Sequence, residues 1–455
     1  MPESAVAESP IKFLRDRFSE DENAAAFMFD GEKFTYRWTL DRLDNWLSKI
    51  KDSNIPQGAV VALSGDYSPD ICCLLLALIE HKAIAVPFAS VTGKEKEELL
   101  DIAEAEFEFV FGEEGFRELK RFGRRVTNPL LTSITRNRSP GLVVFSSGST
   151  GRPKGILHDF SRILEKFTVP RKTLRTLTFL QLDHLGGINT LLYVLSNGGT
   201  VISLKDRSPA AIGEAVERYQ IELLPVTPSF LNLFIVSEEF RKWDLSSLKI
   251  ISYGTEVMPM ATLEKVKTLF PAVGLQQTYG LSELGVLRTK SRDDGSLWVK
   301  VGGEGFETKV VDGILWIRAK SAMLGYLNAP QPFDADGWFN TDDQVEVDGE
   351  YLKILGRKSE IINVGGQKVF PAEVEDVLIQ IDNIRDAVVF GEKNFLMGNV
   401  VAAKVNLIAD EDDASVKKRV REFCKARLSS YKVPVRIEIA RDDLFNSRFK
   451  RIRAQ

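Results

Sequence analysis

Cysteine and histidine are scarce in this chain, with three of each in 455 residues. Cys72 and Cys73 are adjacent and Cys424 stands alone, so neither a disulfide framework nor a C-x-x-C pair can be built. With His81, His158 and His184 widely separated, a His/Cys zinc site is not expected either. Charge of one sign is also lacking. Sixty Lys and Arg against sixty-four Asp and Glu leave −4 at pH 7, which argues against nucleic acid or an anionic membrane as the main partner. The apolar stretch Ile71–Ile79 is far shorter than the roughly 20 residues that span a bilayer, so it reads as a core helix and no membrane insertion is expected. The first ten residues lack a basic region followed by an apolar one, so a secretory signal is not expected and a reducing cytoplasm fits best. No internal repeat or low-complexity tract stands out.

What is present is an ordinary globular balance, 44% hydrophobic and 27% charged, in a chain long enough for several domains. Short β-branched runs alternate with helical patterns as far as about residue 290: Val60–Leu63, Ile84–Pro87, Gly141–Phe145, Thr200–Leu204, Leu223–Val226 and Leu248–Ser252 each abut a helical stretch. Such alternation predicts mostly parallel sheets covered by helices. Between about 297 and 355 the texture changes to short strands separated by Asp-Gly turns, at Asp312-Gly313, Asp336-Gly337 and Asp348-Gly349. After Arg357 a smaller α+β unit is expected. Its signals are a helix over Pro371–Leu378, strands near Ala387–Phe390 and Val400–Ala403, and an amphipathic helix presenting Val416, Val420, Phe423, Cys424 and Leu428. The predicted class is therefore α/β. A large N-terminal domain spans 1–357 and contains a β-rich subdomain at about 297–355; a small, mobile α+β domain spans 358–455.

The strongest chemical signal is the string Val143-Val144-Phe145-Ser146-Ser147-Gly148-Ser149-Thr150-Gly151-Arg152-Pro153-Lys154-Gly155. Glycines let successive N–H groups converge on an anion, hydroxyls add donors, and Lys154 adds positive charge. It is not a P-loop of the G-x-x-x-x-G-K-[ST] type, because the lysine is too far from Gly148 and is followed by Gly155.

The string resembles the phosphate loop of adenylate-forming enzymes: acyl-CoA synthetases, peptide-synthetase adenylation domains and luciferases. Three further segments follow in the family's order. Thr278-Tyr279-Gly280-Leu281-Ser282-Glu283 is similar to its Tyr-Gly-x-Thr/Ser-Glu segment, and Gly337-Trp338-Phe339-Asn340-Thr341-Asp342-Asp343 to its Gly-Trp-x-x-Thr-Gly-Asp segment. Gly356-Arg357 through Glu375, with Gly365-Gly366 and Pro371-Ala372-Glu373, resembles the stretch joining its two domains. Nearly the whole chain is covered.

The resemblance implies ATP-dependent activation of a small carboxylic acid through an acyl-AMP, then transfer to a thiol. It assigns Ser146, Ser147, Gly148, Ser149, Thr150, Gly151 and Lys154 to the phosphates. Gly254, Thr255, Glu256, Thr278, Tyr279 and Gly280 fall on the adenine side, with Asp343 and Arg357 at the ribose. Ser282 would contact the α-phosphate, and Glu283 would hold Mg²⁺, an ion usually bound by one or two carboxylates plus phosphate oxygens. Lys450, in Phe449-Lys450-Arg451-Ile452-Arg453, matches the family's terminal catalytic lysine, with Phe449 in place of its glycine; a solvated basic tail is the alternative. His184 would sit beside the acyl carboxylate, and Leu185, Gly186, Gly187 and Asn189 would line an apolar acyl pocket with few charges. Leu185 occupies the position where activators of α-amino acids carry Asp. Gly365 and Gly366 would line the channel for the thiol of CoA or of a carrier-protein phosphopantetheine, and Ser359 would be the hinge. CoA, a carrier protein or an amine as acceptor share these motifs. Because Asp342, Ser359 and Phe449 depart from the pattern, a nucleotide-binding regulator without turnover is a reading of a different class. A luciferase-type enzyme is a third.

Overall fold

The computed structural model describes residues 9–89, 91–147, 152–445 and 451. Two seven-stranded sheets form the body. In the first, strands Ala25–Phe29, Thr176–Leu177, Val201–Ser203, Leu223–Val226, Ile250–Tyr253 and Gly274–Gln277 are parallel, and only Glu32–Thr35 on the edge runs against them. In the second, Phe107–Gly112, Val60–Ser64, Ile84–Phe88 and Gly141–Ser147 are parallel neighbours, flanked by antiparallel Gly115–Arg121 on one side and antiparallel Pro153–Asp159 on the other, beyond which Gly325–Tyr326 turns back to the central direction. The expected β/α alternation is present. The strand expected from Leu248 begins at Ile250, after a turn in which Leu248 N–H bonds back to Leu245.

Helices Pro69–Glu80 and Leu185–Ser196 share one apolar cluster with strands of both sheets. The first is buried almost all round, Cys72 and Cys73 included, which explains its unbroken apolar sequence. Its start is fixed by Ser68, whose Oγ accepts the Ile71 N–H at 3.4 Å, with Pro69 in the first turn. Among the described residues no helix is long and apolar enough to cross a membrane.

The β-rich region is a six-stranded antiparallel sheet that begins at Thr289, earlier than the Asp-Gly turns indicate, and ends at Arg357. Beyond it, a five-stranded sheet covered by helices Pro371–Leu378 and Asp413–Lys425 has an apolar core of its own, to which the body adds Ala261. Leu428 lies past the end of the second helix rather than on its face.

Among the described residues, polar contacts between this C-terminal unit and the body include the following three. The Ala261 N–H donates to Asp376 Oδ1 at 2.9 Å, and Asn232 Nδ2 donates to the Arg385 carbonyl at 2.8 Å. The third is Arg451, whose backbone N–H donates to Glu256 Oε1 at 2.7 Å. Its guanidinium, 5% exposed, bonds to Glu375 Oε2 at 3.0 Å and to Asp386 Oδ1 at 3.1 Å. Burial opposes that charge, but the carboxylates of Asp386, Glu375 and Glu256 outweigh it and raise the Arg451 pKa. Removing the cation strands two buried carboxylates, so Arg451→Met is expected to lower stability by about 3–5 kcal/mol in urea unfolding. A loss below about 1 kcal/mol would mean that the carboxylates find water or other partners.

Candidate active site

The string 143–155 is a β-hairpin. Gly141–Ser147 pairs antiparallel with Pro153–Asp159, and Ser146 lies opposite Lys154. The chain therefore returns through a strand instead of entering a helix, which is the topological reason that its spacing differs from a P-loop. Gly148, Ser149, Thr150 and Gly151 at its tip lie outside the described residues, as does Lys450. From the hairpin, Lys154 Nζ stands 5.0 Å from the centroid of the Tyr326 ring, and the Tyr326 hydroxyl donates to Glu283 Oε1 at 2.8 Å. His158, fully buried one turn of pleat further on, donates from Nε2 to the Ser282 carbonyl at 2.7 Å. Burial pushes its pKa down to about 4, so the ring is neutral at pH 7. One strand thus steadies both Ser282 and Glu283. This role for His158 has no signal in the sequence, because Ser282 lies 124 residues away.

Ser282 and Glu283 close a second segment. The parallel strands Ile250–Tyr253 and Gly274–Gln277 run in register, so Gly254-Thr255 and Thr278-Tyr279-Gly280 emerge side by side from their C-terminal ends. In open α/β sheets, ligands bind at such ends. Thr255 holds φ +71°, a left-handed conformation that costs a threonine about 1–3 kcal/mol and recurs at functional sites. Glu256 turns away from this edge. Its carboxylate accepts the Ser229 hydroxyl at 2.7 Å and the Arg451 N–H, so it serves the contact with the C-terminal unit.

Tyr279 is 7% exposed, and its hydroxyl donates to Asp343 Oδ2 at 2.5 Å. Asp343 faces Arg357 across the antiparallel sheet, with Arg357 Nε 3.8 Å from Asp343 Oδ1. Burial pushes the Asp343 pKa up to about 6, against the lowering pull of the Tyr279 hydroxyl and the Arg357 guanidinium. Next to it, Asp342 adopts φ +64°, the conformation for which glycine is suited and which Asp tolerates better than most residues. Its Oδ2 accepts the Ser359 N–H at 3.1 Å. Two departures from the family pattern are thus in contact.

His184 is the N-cap of the helix Leu185–Ser196, and its Nδ1 accepts the Gly186 N–H at 3.2 Å, which leaves the proton on Nε2. A cavity of about 510 Å³ joins the strand ends at Gly254 and Thr278 to the His184 helix, while Lys154, Glu283, Asp343 and Arg357 are not among the residues that line it. Gly254, Thr255 and Thr278 through Ser282 line one side; His184, Leu185, Gly186 and Asn189 line another. Gly187 does not face it: a Cβ there would lie 2.0 Å from the Gln181 carbonyl oxygen, so this glycine permits close packing behind the wall. The expectation of a pocket with few charges is also corrected. Lys166, Arg171 and Arg288, none singled out by the sequence, line the same cavity together with Glu304. Burial lowers the Lys166 pKa to about 8, assisted by repulsion from Arg288 and Arg171.

Among the described residues no cluster of three or more His, Cys, Asp or Glu side chains could hold a metal ion. Glu283 supplies a single carboxylate, which suits Mg²⁺ arriving on nucleotide phosphates rather than a cage made by the protein. Gly365 and Gly366 form the two-residue turn between strands Ile362–Val364 and Gln367–Val369, with φ +55° and +86° as a tight hairpin requires. They do not line the cavity, and the space beside Gly366 is open.

Comparison with known proteins shows the family. Residues 14–327 match the model of the AMP-binding enzyme family, and residues 373–448 match the AMP-binding enzyme C-terminal domain. The chain belongs to this family of adenylate-forming enzymes and is acyl-CoA synthetase-like. It is similar to a 3-[(3aS,4S,7aS)-7a-methyl-1,5-dioxo-octahydro-1H-inden-4-yl]propanoyl:CoA ligase of Rhodococcus jostii (strain RHA1), with 30% identity over 64% of this chain and 60% of that one. It is also 28% identical to an indoleacetate–CoA ligase of Aromatoleum aromaticum (strain DSM 19018 / LMG 30748 / EbN1), over 90% of each chain. In fold it is similar to the anthranilate CoA ligase AuaEII in complex with anthranoyl-AMP, at TM-score 0.82 and 21% identity, covering 98% of this chain and 95% of that one.

The Tyr279–Asp343 bond can be tested directly. Tyr279→Phe removes a donor to a buried carboxylate, so the Asp343 titration is expected to move above about 6 in carboxyl-detected NMR. An unmoved titration would show that the hydroxyl does not stabilise the ionised form.

Proposed function

We propose that this chain activates a carboxylic acid with ATP and then ligates it to coenzyme A. The reading is carried by one observation: the cavity is continuous from the strand ends at Gly254 and Thr278–Ser282 to the His184 helix, so nucleotide and acid could meet within it. An oxygen of the acid's carboxylate attacks the α-phosphorus of ATP, the new O–P bond forms, and pyrophosphate leaves. The thiol sulfur of coenzyme A then attacks the acyl carbon, and AMP departs as the C–S bond forms. Bringing two anions together needs neutralisation and alignment more than covalent help from the protein.

We assign the phosphates to the loop from Ser146 to Gly151 with Lys154, and the α-phosphate to Ser282. Glu283 would hold Mg²⁺, which would draw charge from the phosphate oxygens. His184, neutral and oriented by the Gly186 N–H, would contact the acyl carboxylate. Asp343 and Arg357 would accept and flank the ribose, and Lys450 would bridge the attacking carboxylate and the phosphate. We further propose that residues 358–455 act as a lid turning about Ser359, with Asp342 holding the closed hinge through the Ser359 N–H. In the second step the turn at Gly365-Gly366 would border the thiol channel. A carrier-protein phosphopantetheine or an amine are the other acceptors that this chemistry admits. Three free, buried cysteines suit a reducing compartment, in keeping with a cytoplasmic enzyme.

The experiment is carboxylate-dependent exchange of labelled pyrophosphate into ATP. Wild-type protein is expected to support it, and Lys450→Ala to slow it by about 100-fold or more while ATP still binds. Full exchange in the variant would exclude Lys450. A pH series tests Asp343: its ionised form accepts ribose hydroxyls, so AMP affinity is expected to rise as pH increases through about 6. Asp343→Asn is expected to weaken AMP binding about 10-fold and to flatten that profile. A profile with the same inflection in Asp343→Asn would assign the titration to another group.

A further inference from the structure

We infer that the preferred substrate carries a second negative charge, a carboxylate, at the end remote from the carboxyl group that is activated. This rests on the reading that the cavity takes a carboxylic acid, and it concerns the opposite end of that acid.

Lys166 carries the argument. Its Nζ lies against the cavity wall, donating to Asn189 Oδ1 at 2.5 Å and to the Val286 carbonyl at 3.1 Å. Both partners are neutral. Among the described residues no carboxylate lies within 4.0 Å of Lys166 or of Arg171, and Arg288 has only Glu304, at 3.7 Å and 84% exposed on the rim. A half-buried ammonium needs an opposite charge, and two further cations close by make that need greater. An apolar acyl tail would have to bury this cluster without compensation. An anion would complete it, with the ammonium and a guanidinium giving charge-assisted hydrogen bonds.

The helix Leu185–Ser196 supplies a ruler. His184 caps its start, and Asn189, which holds Lys166, lies five residues further on, roughly 8 Å along the axis. The Arg171 N–H bonds to Asn197 Oδ1, at the far end of the same helix. An acid with one carboxylate at His184 therefore places a second near Lys166 when about five or six methylenes, or an equivalent ring, separate them. Titratable side chains facing this end are Arg171, Arg288, Glu304 and Tyr193, with His184 at the other end.

The test compares linear diacids of six to ten carbons with monoacids of equal length, using the full chain. Binding is read by calorimetry, and turnover by pyrophosphate exchange without coenzyme A. A diacid is expected to exceed its matched monoacid by about 10- to 100-fold in affinity and in kcat/KM. Lys166→Met is expected to reduce that ratio by the same factor, and Arg171→Gln, at the exposed rim, to reduce it less. Reading a ratio keeps the result independent of how much folded protein each variant gives. Equal or better use of monoacids by wild type would overturn the inference. So would a ratio unchanged in Lys166→Met, which would make Lys166 a strut between the helix and Val286. A diacid that binds tightly but is not adenylated would uphold the inference and sink the ligase reading; monoacids that are adenylated with no preference for a diacid would do the reverse.

Discussion

The bond from the Tyr279 hydroxyl to Asp343 spans two sheets that share no strand. On one side, Tyr279 leaves the parallel sheet just beyond Gln277; on the other, Asp343 sits inside the antiparallel sheet, opposite Arg357. A buried carboxylate is tolerable only when donors and a cation face it, so the relative position of the two sheets is constrained by this one group. The same constraint leaves Thr278 through Ser282 on the cavity wall. From the third sheet, His158 holds the Ser282 carbonyl and Lys154 leans on the Tyr326 ring that bonds to Glu283. The candidate site is thus a meeting of three sheets, each anchored by a polar contact.

A second set of contacts governs how the C-terminal unit sits on the body. Arg451 is held by Glu375 and Asp386 within that unit, while its N–H reaches Glu256 on the body. Near the start of the unit, Asp342 reaches across to the Ser359 N–H. Both are directional bonds at the two ends of a segment, which permits rotation only if they break. Because Glu256 also accepts from Ser229, and follows directly on Gly254-Thr255, a change in the seat of Arg451 would be felt one residue from the cavity. This is a short mechanical path from Arg451 to the cavity wall.

Much of the fold was legible in the sequence because its signals are local. Val60–Leu63 and Ile84–Pro87 are β-branched runs buried on both faces, and the helix at Pro371–Leu378 opens with a proline in its first turn. The candidate site residues named from the resemblance also lie in short contiguous strings. What escaped were residues whose meaning depends on neighbours distant in sequence. Lys166 looks like any lysine in Glu165-Lys166-Phe167 until Asn189 and Val286 are brought to it. Gly187, by contrast, is expected in the pocket from the resemblance, yet consecutive helix positions point about 100° apart and it faces the Gln181 backbone.

Taken alone, the order of residues determined the alternation of strands and helices, the glycine- and hydroxyl-rich composition of the 146–154 string and the resemblance to adenylate-forming enzymes. These follow from periodicity, from glycine and hydroxyl content, and from motifs whose members lie within a few positions of one another. The tertiary structure alone decided that Asp342 and Ser359 touch, that His158 supports Ser282, and that three cations share the cavity with His184. The reason is physical: charge and hydrogen bonding act over a few ångströms of space, and only the folded chain brings groups as far apart in sequence as His158 and Ser282, or even Asp342 and Ser359, within that range.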